Sequence, residues 1–347
     1  MLAVRIGFRE LRPRFPTRLP VLRSYNQCLA PAPIRHASSS FSSLRNSLLP
    51  NESLAHTLPD GRILGFSSYG PESGYPVLFF HGIPGSRIDA RSIKDLDPGL
   101  GLRIIGVDRP GIGLSSPHAS RALSDWPSDV GSLAQYLGFK DYKVVGISGG
   151  GPFALACAHA ASRGKMSGLS GTGVICGMAP LEAGLQGMNS TQWMSWKLYP
   201  YLPLAYIRFT TQWFIGRHAA NPDSERFEKA MRKLFVDYLT PEEKVIMLRP
   251  DMWRELLDSM REVWAQGADG YARDAKLMAT RWGFDLGDVD KRVLMWWGTA
   301  DDLTPVGMGR WMARRLRNAT LREFVGDTHW TIVDKHGKLI LRELMEG

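Results

Sequence analysis

Cysteine is scarce in this sequence, with three in 347 residues, at positions 28, 157 and 176. The count is odd and no spacing suggests a metal site, so neither a disulfide framework nor a thiolate metal centre is expected. The three read as packing residues in a reducing compartment. No stretch approaches the roughly 20 apolar residues of a membrane span, so no stable membrane insertion is expected. Low-complexity tracts and internal repeats are missing, and 44% apolar with 22% charged residues suits a globular chain. Lysine is absent from residues 1–50, and Glu10 is the only acid there against eight arginines, a local charge of +7. Of the formal net charge of +9, only +2 is left for the remaining chain, which gives no reason to expect a nucleic-acid partner.

The arginine-rich, serine-rich and nearly acid-free segment 1–48 has the marks of a mitochondrial transit peptide. On a helical projection Val4, Phe8 and Leu11 share a face beside Arg5, Arg9 and Arg12. Arginine interrupts every candidate for the apolar core of a secretory signal. The expected location is mitochondrial, or else cytoplasmic.

Beyond the leader, "SLAHTLPDGRILGFSSYG" reads as two strands joined at Asp60-Gly61, a common hairpin pair. Short apolar runs follow at 76–80, 102–108, 142–147, 171–176, 292–298 and 320–325, separated by helix-like segments. Runs of this kind suit parallel strands buried on both faces, and hence an α/β fold with a mostly parallel sheet flanked by helices. The alternation lapses over 181–286, which reads as a helical cap inserted between core segments 52–180 and 287–347. Within it, Phe227, Met231, Leu234, Phe235 and Tyr238 fall on one helical face. Thr240, Pro241 and Glu243 form a capping box that starts another helix. The interval holds six of eleven tryptophans and seven of fourteen methionines. Most must be core, but the excess suggests that some line a channel for an apolar substrate.

The stretch "VVGISGGGPFALA" (144–156) fits two chemical outlines. Gly149 to Ala154 satisfies G-x-G-x-x-A, a dinucleotide-binding pattern. That pattern requires its first glycine directly after the strand and an acid about twenty residues on. Ile147 and Ser148 intervene, and "LSGTGVI" offers no carboxylate, so the outline fails twice. Gly146-Ile147-Ser148-Gly149-Gly150 satisfies G-x-S-x-G, in which a serine on a tight strand-to-helix turn needs neighbours without bulk, Gly146 and Gly150. The helix N-terminus there can stabilise an oxyanion.

A serine hydroxyl needs a histidine to take its proton and a carboxylate to orient that histidine. Of eight histidines, His329 sits just past the last strand, on the same sheet edge as Ser148. In "WWGTADDLTP" Asp301 is the better placed acid, while Asp302 suits a helix start. A second oxyanion donor is expected from "HGIPGSR", where Gly82 admits the backbone and Ile83 N–H would pair with Gly149 N–H. His81 reads as a structural hydrogen-bonder.

The motifs "HGIPGSR", "DRPGIGLSS", "GISGGG", "GTADDLTP" and "GDTHW", in this order, resemble the α/β-hydrolase superfamily over residues 52–347. "EVWAQGADGYARDAKLMATRWGFDL" is similar to a subgroup common in fungi and bacteria. The resemblance implies an α/β-hydrolase fold with Ser148 as nucleophile, Asp301 as acid, His329 as base, and Ile83 and Gly149 as oxyanion donors. No cofactor or metal is implied. It further implies a serine hydrolase acting on an ester, thioester or lactone of a small apolar molecule. Carbon–carbon bond hydrolysis, lyase or cofactor-free perhydrolase chemistry would use the same triad, and a non-catalytic receptor would keep the same pocket. Serine at the nucleophile position argues against epoxide hydrolases and haloalkane dehalogenases, which carry aspartate there.

Overall fold

The structure, a computed structural model, describes residues 48–347. The expectations for the basic leader, with Cys28 and His36, lie outside the described residues.

An eight-stranded sheet runs in the order β1-β2-β4-β3-β5-β6-β7-β8. Its strands are β1 Leu54–Thr57, β2 Ile63–Tyr69, β3 Tyr75–Phe80, β4 Leu102–Val107, β5 Tyr142–Ile147, β6 Leu169–Ile175, β7 Val293–Gly298 and β8 Ala319–Phe324. β2 pairs antiparallel with β1 and β4, and every pairing from β4 across to β8 is parallel. The hairpin turns at Asp60-Gly61, with Gly61 at φ +84° where a side chain would be strained.

The apolar runs occupy the middle of the sheet. Val77 to Phe80, Val144, Val145 and all of β7 are buried. Each such side chain contributes about 1.5–3 kcal/mol by leaving water, so these strands carry much of the core's stability. β8, at the edge, instead alternates between exposed and half-buried positions. The helix Gly151–Ser162, reached from β5 through the turn Ser148–Gly150, is buried on almost every side, and its small residues let it lie close against β5 and β6.

Between β6 and β7 the described residues form helices and no strand. The capping box at Thr240 forms, with Thr240 N donating to Glu243 Oε2 at 2.8 Å and Glu243 N to Thr240 Oγ1 at 3.3 Å. The preceding helix spans Ser224–Phe235 and buries Phe227 and Met231 as expected. It stops three residues before Tyr238, which therefore leaves the apolar face and is exposed, while Val236 and Leu239 pack inward. Most of the tryptophans and methionines of this interval are core, including Trp196, Trp253, Trp264, Trp282, Met231 and Met260. Trp193, Met194 and Trp213 face solvent.

Polar and ionic contacts join these helices to the sheet. Arg87, fully buried, donates to Asp108 at 2.7 Å and to Glu262 at 2.6 Å. Arg91 pairs with Asp258 at 2.7 Å, and Gln266 donates to the carbonyls of Gly113 and Ser115.

Candidate active site

Ser148 follows β5 directly and takes φ +53°, one of two non-glycine residues in the left-handed region among those described. The turn is tight enough to exclude side chains beside it. A Cβ on Gly146 would lie 2.3 Å from Gly150 O, and one on Gly150 would lie 2.1 Å from Phe80 O. Both contacts are with backbone, so neither can yield cheaply. The Ser148 carbonyl is tied down by Met178 N at 2.9 Å and by Gly151 N.

The loop after β3 arrives at the same point. A Cβ on Gly82 would sit 3.4 Å from Ser148 Cβ and 3.8 Å from its Oγ, so Gly82 leaves open the space beside the hydroxyl. A Cβ on Gly149 would fall 3.1 Å from Ile83 N, which places the Gly149 backbone directly against the Ile83 amide. Among the described residues Ile83 N–H donates to no protein acceptor. The Gly149 backbone and the Ile83 amide thus lie side by side next to Ser148, where an oxyanion site would have to be built.

Asp301 and His329 come from the loops after β7 and β8. His329 Nδ1 lies 2.7 Å from Asp301 Oδ2. Asp301 Oδ1 accepts the amides of Leu303 at 2.9 Å and Thr304 at 2.8 Å. Thr304 Oγ1 lies 2.9 Å from Asp301 Oδ2 and 3.1 Å from His329 Nδ1. Burial opposes the Asp301 charge, yet the histidine and the Thr304 amide hold its carboxyl below the usual range. Burial likewise opposes a charged His329, and the Asp301 carboxylate outweighs it, so the imidazole titrates above its ordinary value. Asp302 is turned elsewhere: its carbonyl accepts Asn189 N at 2.8 Å, while burial and Asp301 push its carboxyl up. Of the two acids, Asp301 is the one within hydrogen-bond distance of His329.

Among the described residues no hydrogen bond joins Ser148 to His329. The acid–base half of the constellation is formed and the nucleophile–base half is open, a common state for such groups without substrate.

His81 is fully buried, and burial followed by nearby Arg109 holds its imidazole well below the ordinary value. Nδ1 donates to Gly82 O at 2.9 Å and Nε2 accepts Arg109 N at 3.3 Å, so both nitrogens are engaged in holding the loop. Arg109 also donates from its guanidinium to the carbonyls of His81 and Gly82, the latter at 2.7 Å. Asp274, from the helix Asp269–Met278, fixes Arg109 at 2.6 Å and Arg121 at 2.6 Å. Arg109 and Asp274 lie within motifs quoted above, but neither shows a role in sequence. The only sequence signal at Thr304 is its place three residues after an aspartate, where a carboxylate can accept the backbone amide.

Cys176, Asp301 and His329 bring one potential metal-ligand atom each within 4.8 Å of the others. Burial pushes the Cys176 thiol well up, and both Asp301 oxygens already accept hydrogen bonds, so the donor set is poorly matched to a cation.

Residues 77–341 match the alpha/beta hydrolase family, and the chain belongs to that family. The chain is similar in structure to a thermophilic esterase from Thermogutta terrifontis, with TM-score 0.55 and 19% identity over 84% of this chain and 97% of that one. It is also similar to a hydrolase from Pseudomonas aeruginosa, with TM-score 0.60 and 16% identity over 86% and 100% of the two chains. Both likenesses concern the fold. In sequence, 100 residues are 33% identical to a proline iminopeptidase of Arabidopsis thaliana, covering 28% of this chain and 26% of that protein. Another 33% match, over 96 residues, is to a non-heme chloroperoxidase of Streptomyces lividans, covering 27% and 35%. The matches span about a third or less of these curated relatives.

Proposed function

We propose that this chain is a serine hydrolase acting on an ester, thioester or lactone of a small apolar molecule. The observation that carries the reading is the His329–Asp301 pair, set at the same sheet edge as a serine in a left-handed turn, with the Gly149 backbone against the Ile83 amide. With Nδ1 committed to Asp301, His329 keeps Nε2 for the Ser148 proton. Ser148 Oγ attacks the carbonyl carbon, and the oxyanion takes hydrogen bonds from Ile83 and Gly149. His329 returns the proton to the leaving alcohol or thiol. Water, deprotonated by His329, then attacks the acyl-enzyme, and Ser148 leaves with the acid as second product. No step draws on a cofactor or metal.

Supporting an apolar substrate, half-buried Trp330 adjoins His329 at 5.8 Å between ring centroids and packs against a cluster that includes Ile112 and Trp264. Perhydrolysis by the same residues is the second reading, favoured by the likeness to a chloroperoxidase. We also propose segment 181–286 as the cap over core segments 52–180 and 287–347, and residues 1–48 as a mitochondrial transit peptide.

The test is labelling with a fluorophosphonate probe. Wild type should label, while Ser148→Ala and His329→Ala should not, with ester turnover falling by about 10⁴-fold or more. Folded wild-type protein that stays unlabelled would refute the assignment. A p-nitrophenyl ester series from acetate to dodecanoate should favour the longer chains, and equal rates would remove the apolar pocket. Peracid formation from acetate and hydrogen peroxide tests the second reading.

A further inference from the structure

Of the fifteen exposed large apolar side chains among the described residues, eight fall within the 22 positions from Trp193 to Phe214. These positions lie on the helix Ser190–Leu198, the link after it, the helix Leu204–Thr211 and the turn Gln212–Gly216. Tyr206, Phe209 and Trp213 follow a helical repeat and share one side, opposed by the buried Ile207. Phe209 and Trp213 stack with ring centroids 6.3 Å apart. Tyr201 stands 83% exposed at the link, whose carbonyls at Tyr199, Pro200 and Leu202 are held by Lys276 Nζ at 2.7–3.1 Å. The ring is thus presented to water by a fixed backbone.

The charges that this segment itself carries have one sign. From Ala183 to Pro222 there is no Asp or Glu, while Lys197, Arg208 and Arg217 are present. Lys197 lies over the Trp193 ring at 4.5 Å and Arg217 over Trp213 at 4.6 Å. Arg208 has a distant carboxylate, Asp269 at 3.9 Å, itself held by Arg273. Lys197 and Arg217 have no ion-pair partner among the described residues.

We infer that this face docks on the surface of an anionic lipid bilayer. Isolated exposed apolar residues are ordinary, but a patch of aromatic rings interleaved with cations is the composition of an interfacial surface. Tyrosine and tryptophan settle at the headgroup level, and lysine and arginine meet the acidic lipids there. Charge complementarity selects this occupant over two others. A second copy meeting the face by two-fold symmetry would oppose cations to cations. The N-terminal segment carries +7 within residues 1–50 and is of the same sign. The attachment is peripheral, since no described helix is long and apolar enough to cross a membrane. It is independent of the hydrolase reading.

The experiment is co-sedimentation of the full chain with vesicles of phosphatidylcholine alone or with about one-third phosphatidylserine. Wild type should bind the mixed vesicles at least tenfold more tightly than Phe209→Ser/Trp213→Ser/Phe214→Ser. Lys197→Glu/Arg217→Glu should lose the preference for phosphatidylserine. Every variant carries the same basic N-terminus, so equal binding by wild type and variants would overturn the inference. So would failure of wild type to bind, or a solution dimer that the triple variant dissolves. Tyr201→Asp, on the link, covers the case in which the triple variant fails to fold. It should weaken binding several-fold at unchanged melting temperature, and unaltered binding would count against the inference.

Discussion

Ser148 is held at φ +53°, a conformation that costs a non-glycine residue about 1–3 kcal/mol. The surrounding backbone imposes it, because Gly146 and Gly150 let β5, the turn and the end of β3 approach without side chains between them. Asp301 is fixed just as firmly by two amides and a threonine hydroxyl, and it lifts the His329 titration above the ordinary 6.5. A general base must be neutral, so the acid limb of kcat/KM should fall above pH 6.5 in the wild type. Asp301→Asn should move that limb to lower pH and reduce kcat by about 10⁴-fold, read from pH–rate profiles of ester hydrolysis. A limb unmoved by the substitution would mean that another group controls His329. These residues were legible in sequence because their constraints are local: a glycine beside a turn, a histidine at a strand end. Thr304 gave only a faint signal, since its hydroxyl matters through contacts to Cys176 and His329 that spacing does not display.

At the scale of elements, the loop after β3 is held by a helix that lies far along the chain. Asp274 holds Arg109, and Arg109 holds the carbonyls of His81 and Gly82, next to the Ile83 amide. Burial lowers the Arg109 titration, and the Asp274 carboxylate works against that shift. Removing the carboxylate with Asp274→Asn should cost about 3–5 kcal/mol in urea unfolding, since a buried cation loses its partner. Loss of geometry at the Ile83 amide should lower kcat by up to about 10²-fold, with little change in KM. A stable variant with wild-type kcat would show that the loop holds its shape unaided. This coupling was invisible in sequence because its partners are 165 positions apart. The strands, in contrast, could be read directly from their apolar runs. Composition also could not tell which tryptophans would be core: Trp264 and Trp213 look alike in sequence, and one is buried while the other faces water.

Across the whole molecule, buried carboxyl groups set how stability varies with pH. Asp301 and Glu52 are held below their usual range, so their contribution is present above it and is lost as pH falls through their folded values. Asp89 behaves oppositely. Burial pushes its carboxyl up to about 7, Asp108 adding to the shift while Ser259, Ser86 and Arg109 oppose it. The folded state therefore binds a proton that the unfolded chain has released, and stability falls as pH rises from about 4 towards 7. Glu255, pushed up by burial and by Asp89, acts in the same direction. Asp89→Asn should leave the melting temperature unchanged at pH 4 and raise it at pH 8, in a calorimetric series. A wild-type advantage at pH 8 would refute the assignment.

The ionic contacts between Arg87, Asp108 and Glu262, and between Arg109, Arg121 and Asp274, also bear on how a substrate gets in. Swinging the helices 250–278 away would strand several charges at once in a dry interior, each a costly event. Among the described residues no ion pair runs from 190–216 to the sheet; its neighbour Asn189 meets Asp302 through neutral hydrogen bonds. On the proposed reading of 181–286 as a cap, a movement that admits substrate would therefore fall to 190–216, whose link to the helix Asp269–Met278 runs through Lys276 Nζ and the carbonyls of Tyr199, Pro200 and Leu202.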